Sequence, residues 1–186
     1  MTNKIKITTR QLVITSMFTA VTIVLSQLSL PLPSGVPITL QTFAIALCGY
    51  VLGWQLGLLS ILAYILLGTA GVPVFANFKG GIGVVVGMTG GFIWGFLFMV
   101  FLIGLYTKFK SKIIGIGLGI IGLLLCHLFG VIQFAFVTST SFVHSFLLVS
   151  APYLIKDIIS IIVAYFAAIA IRKSLRSAHL VINVEN

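Results

Sequence analysis

Long apolar runs, separated by short loops and flanked by small clusters of Lys and Arg, fill almost all of this 186-residue chain. Hydrophobic residues make up 60%, charged residues 7%, and the mean hydropathy is +1.25. Soluble domains carry about 25% charged residues, so this composition marks an integral membrane protein. Its length leaves room for one compact all-α bundle over residues 1–186 and for no second domain. A membrane-crossing helix needs about 20 apolar residues. The runs predict six transmembrane helices, at 11–30, 40–52, 55–70, 84–106, 113–137 and 146–171. The second and third are short, and only Gly53-Trp54-Gln55 separates them. One long bent segment is the alternative to a tight turn there. The first run is read as a retained span, because a signal peptide has a shorter apolar core and a small-residue cleavage site.

Charge placement tests this count. Lys4, Lys6 and Arg10 precede the first run, Lys108, Lys110 and Lys112 lie between the fourth and fifth, and Arg172, Lys173 and Arg176 follow the sixth. Six crossings put all nine on one side, whereas five would strand the last cluster on the other. Cytoplasmic loops carry the excess of Lys and Arg, so the basic stretch 1–10 and the tail 173–186 are both expected inside. The net charge of +9 is then a topology signal. It is no nucleic-acid footprint, because the clusters are short and tied to helix ends.

The outer loops on this topology are 31–39, 71–83 and 138–145. Pro31, Pro33 and Pro37 stiffen the first. The second carries Phe75-Ala76-Asn77-Phe78-Lys79-Gly80-Gly81. An aromatic, an amide and a cation on a Gly-rich loop suit a lid or ligand clamp.

Inside the sixth run sits Lys156-Asp157. Asp157 is one of two acids in the chain, the other being Glu185. Ionisable groups at membrane depth are costly and mark functional sites. Adjacent helical residues point about 100° apart, so the two are not expected to satisfy each other, and each needs its own partner. Ser160 lies between their directions, and Tyr153 stands one turn before Asp157. Gln41, Asn77 and Lys79 belong to the same outer half. A pocket there offers an acceptor, cations, amides and aromatics within apolar walls, as small-molecule sites do. The competing, purely structural account is an interhelical ion pair such as Asp157 with Lys79.

Other chemistries are missing. No G-x-x-x-x-G-K-[ST] stretch occurs, so ATP is not bound through a P-loop. A Ser-His-Asp site would need His127 or His144 beside Asp157, which nothing in the spacing recommends, and no enzyme is expected. Cys48 and Cys126 form no C-x-x-C and have no metal-like spacing with His. They are read as small buried apolar residues; no metal and no cofactor is expected. Ser16 and Ala20 on the first helix are small residues at four-residue spacing, which lets another helix approach closely. Gly115, Gly117, Gly119 and Gly122 are expected to permit close packing within the bundle.

Four segments carry a family resemblance: Pro37-Ile38-Thr39-Leu40-Gln41-Thr42-Phe43; Leu67-Gly68-Thr69-Ala70-Gly71-Val72-Pro73-Val74-Phe75-Ala76; Gly87-Met88-Thr89-Gly90-Gly91-Phe92; and Pro152-Tyr153 with Asp157. They resemble signatures of the BioY family, the biotin-binding S components of energy-coupling-factor (ECF) transporters, and the likeness spans almost the whole chain. The resemblance implies the six-helix S-component fold in the cytoplasmic membrane of a prokaryote. It implies high-affinity biotin capture at the outer face, and partners comprising a transmembrane coupling subunit and two ATPases. Ser16 and Ala20 would dock the coupling subunit. Asp157 would accept from the ureido N–H groups of biotin and Lys156 would donate to its carbonyl. The bicycle would stack on Phe75 or Tyr153, and the valerate carboxylate would meet Asn77, Lys79 or loop amides. The family commonly has Pro at the position of Met88, Tyr at Phe92, Gly at Lys156 and Lys at Ser160, so this chain has moved the lysine by one helical turn. Two other readings stay open: an S component for another vitamin, and a small proton-coupled secondary transporter with Asp157 as its proton site. The inverted repeats of many such carriers are not evident here.

Overall fold

The computed structural model describes residues 7–109 and 111–177. Lys4, Lys6 and Lys110 of the basic clusters, and the tail from 178 with His179 and Glu185, lie outside the described residues. The described chain is mostly helical, with one small ribbon and short loops between the elements. Its helices are α1 (Thr9–Gln27), α2 (Gln41–Thr69), α3 (Ile82–Val86), α4 (Gly90–Leu105), α5 (Lys112–Thr138), α6 (Phe142–Val149) and α7 (Ala151–Ser177). In the ribbon, β1 (Ser29–Leu30) pairs antiparallel with β2 (Ile38–Thr39). Among the described residues, α1, α2, α4 with the turn that follows it, α5 and α7 are long and apolar enough to cross a bilayer.

The helices expected at 40–52 and 55–70 are one element, α2, interrupted at Gly53. Gly53 has φ +77° and ψ 179°, a backbone state that is essentially restricted to glycine. Beyond it the chain doubles back. Gln41 Nε2 donates to the Tyr64 hydroxyl at 2.9 Å, although a straight helix would hold the two residues about 35 Å apart at 1.5 Å per residue. Cys48 Sγ likewise lies 3.9 Å from the Gly57 carbonyl oxygen. α2 is therefore a hairpin with legs 41–52 and 54–69. Its tip rests on α4, where a Cβ at Gly104 would come 2.6 Å from the Gly53 carbonyl carbon. The Lys108 ammonium lies over the Trp54 ring at 5.9 Å, and Arg172 Nη1 donates to the Tyr50 carbonyl at 3.2 Å. The basic ends of α4 and α7 thus gather at the hairpin tip, and Gln41 and Tyr64 lie at the opposite end.

Two predicted helices are broken where the run of apolar residues gave no warning. The expected 84–106 helix splits into α3 and α4 around Gly87, which is extended (φ −77°, ψ −169°). The carbonyls freed there are taken up by Gln133, whose Nε2 donates to Val85 at 3.1 Å and to Gly87 at 2.8 Å. In lipid such backbone groups must find a protein partner. The expected 146–171 helix splits into α6 and α7 at Ser150 (φ −125°, ψ −59°). Pro152 supplies no N–H, and its ring excludes the carbonyl one turn earlier, so a continuous ladder cannot pass it.

α1 is inverted relative to a soluble helix. Its buried residues include Thr15, Thr19, Thr22 and Ser26, while Leu12, Val13, Met17 and Val24 are exposed. The hydroxyl stripe bonds its neighbours: Thr19 Oγ1 donates to the Ser60 carbonyl at 3.2 Å, and Ser26 Oγ to the Val74 carbonyl at 2.6 Å. Small polar residues hold membrane helices together in this way. The expected close approach on α5 occurs at three of four glycines. Gly115 receives the Tyr106 and Tyr165 rings, Gly119 the Tyr50 hydroxyl, and Gly122 the Met99 backbone, whereas Gly117 faces open space. Cys48 and Cys126 are buried free thiols.

Candidate functional site

One cavity opens at the end of the bundle away from the hairpin tip. The inward face of α7 forms one wall. Tyr153, Asp157, Ile161, Ala164 and Ala168 are buried at helical spacing, which puts Tyr153 and Asp157 one turn apart on the same face. Lys156 is on the cavity wall beside them. α4 contributes Phe92 and Phe96, α5 contributes Leu123, Cys126 and His127, and α6 contributes Val149.

Two of the three predicted outer loops complete the enclosure. The first supplies Val36, Pro37 and Thr39, and the second supplies Phe75, Asn77 and Lys79. Residues 138–145 supply none. α7 pins the first loop. Tyr153 donates its hydroxyl to the Val36 carbonyl at 2.5 Å, and Lys156 Nζ donates to the Thr39 carbonyl at 2.9 Å. The second loop hangs from the end of α1. Gln27 Oε1 accepts from Phe78 N at 2.9 Å, and Ser29 Oγ donates to Asn77 Oδ1 at 2.8 Å. Asn77 and Phe78 both have left-handed backbones (φ 58° and 55°). Asn adopts this state readily and Phe only at a cost, and strain of that kind gathers at ligand clamps. Phe75 is buried, packs into the gap above Gly68 and meets Tyr64 edge-on at 5.4 Å.

The charged pair departs from expectation. Lys156 and Asp157 do face each other: the long lysine arm folds back and its ammonium pairs with Asp157 Oδ1. The 100° divergence governs the Cβ directions, not the end of a flexible four-carbon stem. Each also has a further partner, Thr39 for Lys156 and His127 for Asp157. His127 Nε2 lies 3.2 Å from Asp157 Oδ2, and its Nδ1 lies 2.9 Å from Ser150 Oγ. Spacing arguments had set His127 aside, yet α5 and the α6–α7 break bring Ser150, His127 and Asp157 into one line. Ser150 is fully buried and does not line the cavity, so the line offers no accessible nucleophile. The signal for His127 was present: it is an ionisable residue within an apolar run, the criterion that singled out Asp157.

Of the residues marked from sequence, Gln41, Phe75, Asn77, Lys79, Tyr153, Lys156 and Asp157 meet at the cavity. Gln41 bridges Thr39 and Tyr64, accepting from the first at 2.9 Å. Lys79 lines the cavity from an exposed position and forms no ion pair with Asp157, whose oxygens face Lys156 and His127. Ser160 is absent from the wall: its hydroxyl turns back along α7 and donates to the Lys156 carbonyl at 3.0 Å. Ser16 and Ala20 are exposed on α1 and do not line the cavity. Among the described residues no group of His, Cys, Asp and Glu could hold a metal ion.

Known proteins share both sequence and architecture with this chain. It is 38% identical over 169 residues to the biotin transporter BioY of Thermotoga maritima, covering 88% of this chain and 96% of that one. It is 38% identical over 159 residues to a probable biotin transporter BioY of Pyrococcus horikoshii, covering 86% and 94%. The crystal structure of the S component for biotin from an ECF-type ABC transporter superposes with a TM-score of 0.74 at 26% identity, covering 87% of this chain and 94% of that one. With the BioY family profile matching residues 1–177, this chain belongs to the BioY family.

Proposed function

We propose that this chain is the biotin-capturing S component of an ATP-driven ECF importer. The observation that carries the reading is the buried Asp157 carboxylate with the Lys156 ammonium beside it on the wall of an aromatic-sided cavity. Biotin's ureido ring has two N–H donors and one carbonyl. Asp157 Oδ1 accepts from the donors, and Lys156, released from the carboxylate, donates to the carbonyl. The apolar bicycle lies against Phe75 and Phe92. The valerate carboxylate reaches the rim, where Asn77 and Lys79 stand nearer to water. A site that pairs with such groups rejects analogues lacking them. The role is capture and transport rather than catalysis.

The membrane arrangement that fits this role has six crossings, with α2 counted twice. Its legs are about 18 and 24 Å long at 1.5 Å per residue, short of the roughly 30 Å hydrocarbon core. Loops packed against protein complete the depth, which lipid tolerates. Six crossings put the hairpin tip and the basic ends of α4 and α7 inside, and the cavity outside. We place the chain in the cytoplasmic membrane of a prokaryote on this basis. Energy comes from elsewhere, through a transmembrane coupling subunit and two ATPases.

α1 is the surface offered to the coupling subunit. Only 28% of its span is buried, against 56% for α2, and Ser16 and Ala20 form a shallow strip between exposed Leu12, Met17 and Val24. Ser16→Leu with Ala20→Leu is expected to leave biotin affinity within about twofold, because neither residue lines the cavity. Uptake in cells that co-express the energising subunits is expected to fall by at least about tenfold, the cost of obstructing one close-packed contact. Unchanged uptake would move the docking surface elsewhere.

Calorimetric titration of the purified chain with biotin tests the central reading. Heat is the better signal, because neither Trp54 nor Trp94 lines the cavity. Saturable binding of biotin, with no heat from riboflavin or thiamine, is the expected result. Binding of another vitamin in its place would assign a different substrate, and uptake that stops with the proton gradient while ATP lasts would point to a secondary carrier.

A further inference from the structure

His127 has no part in the capture scheme above, yet both of its ring nitrogens are engaged and it is 6% exposed. Nε2 faces Asp157 Oδ2 at 3.2 Å, Nδ1 faces Ser150 Oγ at 2.9 Å, and the Phe92 ring meets the imidazole edge-on at 5.7 Å. An ionised carboxylate accepts only, so the proton of a neutral imidazole sits on Nε2 and Nδ1 accepts from the Ser150 hydroxyl. Ser150 is itself fixed, because it occupies the break between α6 and α7. Its backbone N–H donates to the Phe146 carbonyl at 3.0 Å, and its carbonyl accepts from Tyr153 N at 3.0 Å. A rigid donor therefore grips one carboxylate oxygen. The other oxygen, Oδ1, faces the Lys156 ammonium, which sits on a flexible arm whose side chain is 31% exposed. The buried Oδ1 makes no further hydrogen bond with the described residues.

We propose that His127 is a positioning residue for ligand binding: it holds Asp157 by Oδ2 so that Oδ1 is presented to the cavity as the acceptor for the ligand's N–H donors. The Ser150 hydroxyl sets the tilt of the ring, and the three residues act as one line from the α6–α7 break to the ligand. This rests on the biotin reading, since a ligand without N–H donors would gain nothing from the arrangement. His127→Leu keeps an apolar side chain in the same space and removes the donor. His127→Gln keeps an N–H within reach of Oδ2. Ser150→Ala removes a hydroxyl that does not line the cavity and so acts only through the ring.

The test is calorimetric titration of the three variants and the parent chain with biotin, with the thermal midpoint of each recorded. A hydrogen bond to a charged group is worth a factor of about ten to a hundred, and that weakening is expected for His127→Leu. His127→Gln is expected to restore most of it, and Ser150→Ala to weaken binding by about threefold to tenfold. Equal affinity in the Leu and Gln variants, or full affinity in Ser150→Ala, would overturn the positioning role. If the parent chain gave no heat with biotin, the capture reading would fall first and this inference with it.

Discussion

Asp157→Asn is expected to weaken biotin binding by at least about a hundredfold and to leave the bundle folded. The carboxylate is 4% exposed and is held between Lys156 and His127. A hydrogen bond to a charged acceptor is worth about 1.5–3 kcal/mol net. The amide has one acceptor oxygen in place of two and carries an NH₂ group. When its oxygen takes the His127 donor, the NH₂ is directed at the ligand's own N–H groups, so donor meets donor. Losing one charged bond and creating one clash gives the hundredfold figure, which is about 2.7 kcal/mol. Folding is affected less. The Lys156 side chain is 31% exposed and keeps the Thr39 carbonyl, so its ammonium is not stranded. Removing one partner of a buried pair is costly when the other charge stays buried, and the partial exposure of Lys156 limits that cost here. The measurement is a biotin titration alongside a thermal melt. Full affinity with a lowered melting point would make Asp157 a strut between helices rather than a ligand.

This outcome also bears on how the site could be read from the chain alone. Asp157, Tyr153, Asn77 and Gln41 were legible because polar residues in apolar surroundings are expensive and need a reason. The same rule covers His127, but a histidine among 27 residues of α5 with no sequence neighbour to pair with gave no direction. Its partners lie 23 and 30 residues away and meet it only because α6 ends at Ser150. Ser160 shows the opposite failure. It has the right spacing from Asp157, but a serine in a helix interior can satisfy itself on the carbonyl one turn back, and here it does. The Lys156–Asp157 contact was missed because side-chain length, not backbone direction, decides where an ammonium goes.

The fold divides in a similar way. Apolar length located α1, α2 and α5 to within about three residues and α4 and α7 to within six, since bilayer thickness sets that length. Breaks within runs were invisible to it. Those at Gly87 and Ser150 depend on Gln133 and Pro152, one a distant side chain and the other a local steric bar. They are also the breaks that matter for the site. The first turns Thr89 and Phe92 toward the cavity, and the second frees the Ser150 hydroxyl for His127.

Gly53 is where one residue decides the path of the whole chain, and Gly53→Val is expected to prevent folding to the native bundle. At φ +77° and ψ 179° its backbone lies in a region that only glycine populates readily. An added methyl group costs of order 1–3 kcal/mol in such a state, and a β-branched residue costs more, because its second substituent on Cβ crowds the backbone further. Relief requires the backbone to leave this conformation, and α2 then no longer reverses. The legs would separate, taking with them the Gln41–Tyr64 bond and the packing of Cys48 against Gly57, and Gln41 would leave the cavity wall. The Gly104 face of α4 has no room to accommodate a displaced tip. Gly53→Ala is the graded version. At about 2–4 °C per kcal/mol for a chain of this size, its melting point should fall by roughly 2–12 °C, with biotin binding retained in the folded fraction. Gly117→Ala on α5 is the matched control: nothing lies within 4 Å of the added methyl group, and helix propensity alone should make it neutral or stabilising by about 0.5–1 kcal/mol. Thermal melts of the detergent-solubilised variants decide the matter. If Gly53→Val melted like the parent chain, the reversal would not depend on this backbone state, and the hairpin would have to be held by the contacts between its legs.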